Sequence, residues 1–186
     1  MPSGYRLGSG LARQPFQLNQ AALLAGLGDV LQGRQLLSAA QIEDVQQQIV
    51  ALRNLSLNND RRGREFRARY TTEPQTTLLD SGVLYSRLTP AGGAPPRQGA
   101  PVAVRFRLTT AAGRVVADTL SGDMELELAQ DEVIPGLREV VWSMPQGARW
   151  EIVVPPEQAY GERGSPPQIG PNETLIFELL LLHEVG

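Results

Sequence analysis

The chain has 186 residues, of which 41% are hydrophobic and 20% charged, and a formal net charge of −3 at pH 7. This length and apolar fraction suit one domain, or a compact domain with a smaller appendage. Because nucleic acids attract strongly basic surfaces, we expect no nucleic-acid partner. There is no cysteine, which excludes a disulfide framework, a thiolate nucleophile and a zinc finger.

The first third of the sequence predicts helices. The segment NQAALLAGLGDVLQG begins at a candidate N-cap, Asn19, and ends at Gly33, a residue type that often follows a helix. The next segment, SAAQIEDVQQQIVAL, opens with Ser38 and Gln41 at the spacing of a capping box. GYRLGSGLA, residues 4–12, predicts a further short helix.

Two apolar stripes lie on the predicted helices. One follows alternating steps of three and four residues, which is typical of a narrow coiled-coil seam. Such a seam cannot bury itself in a single chain, so it predicts a homodimer formed through the N-terminal helices, residues 1–55. The two stripes are Leu23, Leu24 and Leu27, and Ile42, Val45, Ile49 and Leu52.

We expect the helical part to break at LNND, residues 57–60. The segment RRGREFRARY follows, with five arginines between positions 61 and 69. We interpret these arginines as a solvated helix face, and a basic patch for lipid headgroups or nucleic acid is the weaker alternative.

From residue 77 the hydrophobic period changes to two, which predicts strands in GVLYSRL, APVAVRFRL, MELELA, ARWEIVV and ETLIFELLLLHEV. AAGR, residues 111–114, predicts a hairpin turn. Pro135 opens a predicted short helix, PGLREVVWSM, since proline is favoured in a first helical turn. A short helix packed on a curled antiparallel sheet, preceded by a helical domain, is an α+β fold. The predicted domains are residues 1–70 and 71–186.

The usual catalytic constellations are missing from the sequence. The only histidine, His183, lies near the end of the last predicted strand, and no Gly-x-Ser-x-Gly elbow or phosphate-binding glycine loop accompanies it. One histidine without cysteine does not favour a metal site, and we expect no metal and no cofactor. Rotation about an X-Pro amide suits such a chain, because it needs an apolar pocket and a few hydrogen bonds but no proton transfer.

The sequence VIPGLREVVWSMPQGARWEIVVPPEQAYG, followed by IGPNETLIFELLLLHEV, resembles the FKBP-type peptidyl-prolyl isomerases over residues 77–185. The N-terminal part, with AALLAGLGDVLQG and REFRAR, is similar to the dimerisation domain of bacterial Mip-like members. The resemblance implies a sheet wrapped around a short helix and peptidyl-prolyl cis-trans isomerase activity that assists protein folding.

The resemblance also implies where the site lies. Three residues take the catalytic roles: the Ile134 N–H donates to a substrate carbonyl, Tyr160 offers a hydroxyl, and Phe177 closes the apolar floor. Ile169 lies in a loop that overhangs the pocket. The substrate-binding residues implied are Phe106, Val116, Met124, Val133, Leu137 and Ile169.

Several residues depart from the family pattern. The segment GRVVADT stands where the family has Gly-x-x-Phe-Asp-Ser, so Val116 replaces an aromatic residue and Ala117 replaces the acidic one, unless a shift of one residue brings Asp118 into that place. Phe106 replaces a tyrosine, Leu137 a tryptophan and Met124 an aromatic. These departures predict a softer, less polar pocket and weak catalysis.

The activity expected is therefore isomerisation of X-Pro bonds in proline-containing segments of client proteins. The alternative is a non-catalytic peptide-binding chaperone or scaffold with the same fold. The family resemblance implies a periplasmic or outer-membrane-associated protein of a bacterium, although MPSGYRLGSG does not have the pattern of a signal peptide.

Overall fold

A computed structural model of the chain describes residues 20–33 and 38–186. The chain forms two compact units, residues 1–54 and 55–186. The short helix predicted at 4–12 and the predicted cap at Asn19 lie outside the described residues, as do the side chains of Leu23, Leu24 and Leu27. Within the described ranges, no helix is both long enough and apolar enough to cross a membrane.

Two helices make up the N-terminal third of the described chain. Helix α1 spans Gln20–Leu31 and helix α2 spans Ala39–Tyr70. The stop predicted at Gly33 is confirmed, because this glycine follows α1 with a left-handed φ of 73°. The predicted capping box is confirmed too: the Ser38 N–H donates to the Gln41 side chain at 2.8 Å, and the Gln41 N–H donates to the Ser38 hydroxyl at 3.2 Å.

The break predicted at residues 57–60 is wrong, because α2 runs through this segment without interruption. Asparagine is only a weak helix breaker, and here tertiary contacts outweigh its propensity. Asn59 is buried, and its amide donates to the carbonyl of Pro171 at 2.9 Å. Asp60 also accepts from Arg64 at 2.6 Å, one helical turn later.

The basic segment of α2 is mostly a solvated face. Arg61 pairs with Glu65 on the exposed side of the helix at 3.4 Å. Arg67 differs, since its guanidinium is half-buried and donates to the hydroxyl of Thr174. Burial is the main cause that lowers the pKa of Arg67 from its ordinary value.

The second unit contains a seven-stranded antiparallel sheet with the order β1-β2-β6-β7-β3-β4, and β5 also pairs with β3. This confirms the α+β class, with a short helix, α3, at Pro135–Val141. The strands are β1 Thr77–Leu78, β2 Leu84–Thr89, β3 Val102–Thr110, β4 Val115–Asp118, β5 Leu126–Leu128, β6 Arg149–Val154 and β7 Leu175–Glu184.

The predicted strands, the hairpin at residues 111–114 and the helix that begins at Pro135 are all present, and the structure has two further strands. Strands β1 and β4 were not predicted, and α3 ends at Val141, three residues before the predicted end at Met144. The hairpin closes through a bond from the Gly113 N–H to the Thr110 carbonyl at 2.8 Å. The domain boundary predicted at residue 70 stays a prediction; residues 55–70 of α2 belong to the same compact unit as the sheet.

The inner face of the sheet wraps around α3 and forms the main core. Leu137, Val140 and Val141 of α3 pack against strand residues that include Val104, Ile152 and Leu179. Gly136 allows the first turn of α3 to approach β6 closely, because a Cβ there would lie 2.5 Å from a methyl carbon of Val154.

The outer face of the sheet is covered by the end of α2. Tyr70 packs with Leu84, Val153 and Ile176, three residues aligned across neighbouring strands, and Phe66 stacks on the Tyr70 ring at 5.9 Å. The Tyr70 hydroxyl is hydrogen-bonded to the hydroxyl of Ser86 at 2.7 Å. The C-terminal half of α2 is thus part of the same packed unit as the sheet.

We predict that Gly136→Ala destabilises the fold, because the added methyl group collides with Val154 in a packed core. Overpacking of this kind lowers the free energy of unfolding by about 1–3 kcal/mol. Denaturant unfolding would measure the loss. Gly92→Ala is the matched control, since nothing lies within 4 Å of its added carbon; equal stability of the two variants would contradict the prediction.

A partly buried carboxylate, Glu151, lies beneath the end of α2. It stands opposite Glu178 in the β6–β7 ladder and opposite Ser86 in the β2–β6 ladder. Burial raises the pKa of Glu151, the Tyr70 hydroxyl opposes that shift, and the carboxylates of Glu178 and Glu73 add to it. A raised pKa in the folded state means that the ionised form is disfavoured by folding.

We therefore predict that Glu151→Gln stabilises the protein near neutral pH. The contribution of this carboxyl to stability is present below its unfolded pKa, about 4.3, and is lost as the pH rises through the higher folded pKa. The gain in the free energy of unfolding should vanish near pH 4. Glu127→Gln, an exposed strand position, is the control, and a gain that does not depend on pH would contradict this origin.

Candidate functional site

Two neighbouring strands bring Phe106 and Phe177 together. Phe177 of β7 is buried and stands opposite Leu108 of β3, while Phe106 stands opposite Leu179. The two rings tilt at 55° with their centroids 6.0 Å apart, a normal geometry for an attractive aromatic pair. Phe106 is only partly buried, so this pair extends from the core towards the surface.

The start of α3 adds the next part of the site. Val133 and Ile134 are partly buried and pack on the core cluster that contains Leu137. Ile134 is the N-cap residue of α3, and its carbonyl accepts from the N–H groups of Leu137 and Arg138, both at 3.1 Å. Its own N–H has no acceptor among the described residues. An unpaired backbone donor thus lies beside an apolar surface.

Arg138 fixes the segment that precedes this donor. Its guanidinium donates to the carbonyls of Gln130 at 2.8 Å, Asp131 at 3.3 Å and Val133 at 3.3 Å. Three carbonyl acceptors suit the forked donor set of arginine. Sequence reasoning missed this residue, because an exposed arginine in a short helix carries no local signal of such a role.

Tyr160 and Ile169 come from the long connection between β6 and β7. Ile169 is buried in the core cluster, and it forms two backbone hydrogen bonds with Ser165, at 2.8 and 2.9 Å. Tyr160 is 41% exposed, and its neighbour Ala159 packs against the same cluster. The Tyr160 hydroxyl has no hydrogen-bond partner in the described part of the chain. It is therefore available at the edge of the cluster.

Met124 lies farther out than the other predicted site residues. Its side chain is 60% exposed, and no contact places it in the core cluster. Leu126, two residues later on β5, does pack there. The structure thus places seven of the nine predicted residues in or against the main core of the domain and leaves Tyr160 and Met124 exposed. The seven are Phe106, Val116, Val133, Ile134, Leu137, Ile169 and Phe177.

The register of β3 and β4 decides between Ala117 and Asp118. Ala117 stands opposite Leu108 and packs on the core cluster, so it occupies the position that faces the site. Asp118 stands opposite Arg107. Because successive residues of a strand point to opposite faces, the Asp118 carboxylate is directed away from the cluster.

On that outer face Asp118 anchors the turn after β4. Its carboxylate accepts from Arg107 Nε at 3.0 Å, from the Ser121 hydroxyl at 2.8 Å and from the Leu120 N–H at 3.0 Å. The Ser121 hydroxyl and then Arg107 lower the pKa of Asp118. This carboxylate serves the loop rather than the site.

The chemistry available around Phe106 and Phe177 therefore consists of apolar surface, the Ile134 N–H and the Tyr160 phenol. His183 is exposed on β7, opposite Ala103 and outside the cluster. In the described ranges, no group of three His, Cys, Asp or Glu residues is placed to hold a metal ion. Such an arrangement can bind an apolar ring and hydrogen-bond the carbonyls beside it.

Comparison with known families identifies both parts of the chain. Residues 92–182 match the family model described as FKBP-type peptidyl-prolyl cis-trans isomerase. Residues 2–86 match the model of the domain amino terminal to FKBP-type peptidyl-prolyl isomerase.

Bacterial relatives match over nearly the whole chain. The "Outer membrane protein MIP" of Legionella longbeachae is 33% identical over 189 residues, which cover 96% of this chain and 81% of that protein. The FKBP-type isomerase FkpA of Escherichia coli K12 is 28% identical over 200 residues, covering 97% of this chain and 74% of FkpA. Nothing in these matches favours a non-catalytic protein.

Solved structures agree with the sequence relatives. The crystal structure of FkpA from Escherichia coli covers 97% of this chain and 94% of its own, with a TM-score of 0.67 and 27% identity. A peptidyl-prolyl cis-trans isomerase from Pseudomonas syringae covers 70% of this chain and 96% of its own, with a TM-score of 0.63 and 29% identity. The chain therefore belongs to the FKBP-type peptidyl-prolyl cis-trans isomerases and is similar over most of its length to Mip and FkpA.

Proposed function

We propose that the apolar cluster around Phe106 and Phe177 is the site at which this isomerase holds the proline ring of its substrate. The observation that carries the proposal is the unpaired N–H of Ile134 beside that cluster. The N–H donates to the carbonyl next to the prolyl amide, and the Tyr160 hydroxyl donates from the other side. Val133, Leu137 and Ile169 complete the apolar walls.

The physical basis is the electronic difference between a planar and a twisted amide. Resonance sets a barrier of about 18–20 kcal/mol to rotation about the peptide bond. The planar amide is polar and is favoured by water, whereas a twisted amide is less polar and is favoured by an apolar surface. Hydrogen bonds to the flanking carbonyls hold the peptide while the bond rotates, and no proton is transferred.

The proposed site is less polar than the family pattern, and we propose that its catalysis is correspondingly weak. Ala117 brings a methyl group where a carboxylate would stand, and Phe106 has no hydroxyl. Met124, exposed at the edge, is a flexible side chain that can adapt to different neighbours of the proline. The partners that fit such a surface are proline-containing segments of unfolded client proteins, and this suits a chaperone role.

A bacterial cell-envelope location fits the same proposal. One relative that matches 96% of the chain is named an outer membrane protein. Proline isomerisation is slow enough to limit folding, so proteins that fold after export are suitable clients. A periplasmic or outer-membrane-associated position is the specific form of this proposal.

We also propose that the protein is a homodimer through its N-terminal helices. The seam residues on α2 are exposed in the single chain, from 38% at Ile42 and 40% at Ile49 to 57% at Leu52. A row of large apolar side chains is stabilised by burial, at about 1.5–3 kcal/mol each. A second copy of the chain offers the same seam.

We predict that Tyr160→Phe lowers kcat/KM while the fold is kept. The change removes one hydroxyl and leaves the ring, so the loss corresponds to one hydrogen bond, about 0.5–1.5 kcal/mol. A prolyl-peptide assay coupled to a protease measures it, and circular dichroism checks the fold. Tyr70→Phe is the matched control, because Tyr70 packs in a separate cluster on the outer face of the sheet. Unchanged turnover in Tyr160→Phe would refute this placement of the site.

We predict that the double change Val45→Glu and Ile49→Glu dissociates the dimer, because two charges cannot be buried in an apolar seam without a large free-energy penalty. Sedimentation at micromolar concentration should give a dimer for the native chain and a monomer for the variant. Gln47→Glu with Ala51→Glu adds the same charge at exposed positions of the same helix and should leave the dimer intact. A native chain that sediments as a monomer rules out the proposal.

A further inference from the structure

The connection that carries Tyr160 and Ile169 is attached to the long helix α2. We call residues 161–172 the rim loop. Its first residue, Gly161, follows Tyr160, and near its end Ile169 enters the core cluster. The loop could be held by the sheet alone, yet residues 170–172 lie against α2 between Leu55 and Asn59.

Asn172 connects the two ends of the rim loop with the helix. Its backbone N–H donates to the Gly161 carbonyl at 2.9 Å, which closes the loop next to Tyr160. Its side-chain amide donates to the hydroxyl of Ser56 on α2 at 2.8 Å. The residue has a left-handed φ of 53°, a conformation that asparagine tolerates better than most residues.

Asn59 makes a second attachment one turn along the helix. It is only 7% exposed, and its amide donates to the Pro171 carbonyl at 2.9 Å. The preceding residue, Gly170, lies so close that an added Cβ would be 3.2 Å from the Asn59 amide nitrogen. The helix therefore contacts three successive residues that follow Ile169 directly.

We propose that Ser56, Asn59 and Asn172 are positioning residues of the isomerase, which hold the rim loop so that Tyr160 and Ile169 face the proline. This inference rests on the proposed placement of the site. It makes the C-terminal half of α2 a working part of the catalytic unit, since the helix sets the geometry of the loop as well as covering the sheet.

Other contacts of α2 allow positioning to be separated from stability. Tyr70 bonds to Ser86 and packs on the outer face of the sheet. These contacts dock the same helix to the same domain but touch no residue of the rim loop. A change at Tyr70 therefore weakens docking without altering the loop attachment.

The test compares Ser56→Ala, Asn172→Gly and Tyr70→Phe in the full-length chain. Glycine keeps the left-handed backbone at position 172 and removes only the side chain. We expect kcat/KM towards a short prolyl peptide to fall roughly two- to tenfold in Ser56→Ala and in Asn172→Gly, the effect of one lost hydrogen bond. The double variant should fall no further, because both changes remove the same bond.

Two further readouts separate loop geometry from general destabilisation. The amide N–H of Ile169 should exchange with solvent faster in the two loop variants and at the native rate in Tyr70→Phe, which should lower the unfolding midpoint but keep kcat/KM. Asn172→Asp should retain activity within about twofold, because its carboxylate can accept from the Ser56 hydroxyl and aspartate also tolerates a positive φ.

The result that overturns the inference is an unchanged kcat/KM in Ser56→Ala and Asn172→Gly while Tyr160→Phe lowers it. An equal fall of kcat/KM in Tyr70→Phe would also overturn it, because docking of the helix, rather than its bonds to the rim loop, would then account for the loss of activity. If Tyr160→Phe has no effect, the placement of the site fails first, and the positioning role fails with it.

Discussion

The close approach of α3 to β6 is the constraint on which the proposed site depends. Gly136 lies against Val154, Val83 and Gln158. These contacts fix the distance between the first turn of the helix and the sheet. Ile134 precedes this turn as the N-cap of the helix, where its N–H has no intrahelical acceptor. The free donor of the site is thus a direct consequence of helix geometry. Arg138 then ties the preceding carbonyls to the same helix, which holds this segment in place beside the apolar cluster.

The distribution of polar groups explains what kind of catalyst the site can be. Strand β4 places Ala117 towards the cluster and Asp118 towards Arg107 and Ser121, so the Asp118 carboxylate stabilises a turn. The inner surface keeps apolar side chains that also belong to the core of the domain. A site built from the edge of a core is rigid at little additional free-energy cost, since packing already restricts its rotamers. Rigidity and low polarity suit amide rotation, which requires no titrating group.

Most local features could be predicted because they depend on neighbouring residues in the sequence. The capping box of Ser38 and Gln41, the hairpin at 111–114 and the helix opened by Pro135 are of this kind. The continuity of α2 through Asn59 could not be predicted, since the partner of that asparagine lies 112 residues away. The sequence could not decide whether Ala117 or Asp118 faces the cluster either, because a shift of one residue exchanges the two faces of a strand. The family resemblance named the site residues, whereas Arg138 and Asn172 emerged only from their contacts.

The two sets of contacts made by the end of α2 have different physical characters. Tyr70 and Phe66 bury aromatic surface over Leu84, Val153 and Ile176, which supplies stability that does not depend on precise geometry. Ser56 and Asn59 instead make directional hydrogen bonds to backbone and side-chain groups near the rim loop, which add little net stability but restrict position. The partly buried Glu151 lies beneath the same helix, and burial raises its pKa. A helix that is bonded to the rim loop beside the proposed site restricts the position of that loop as well as stabilising the domain.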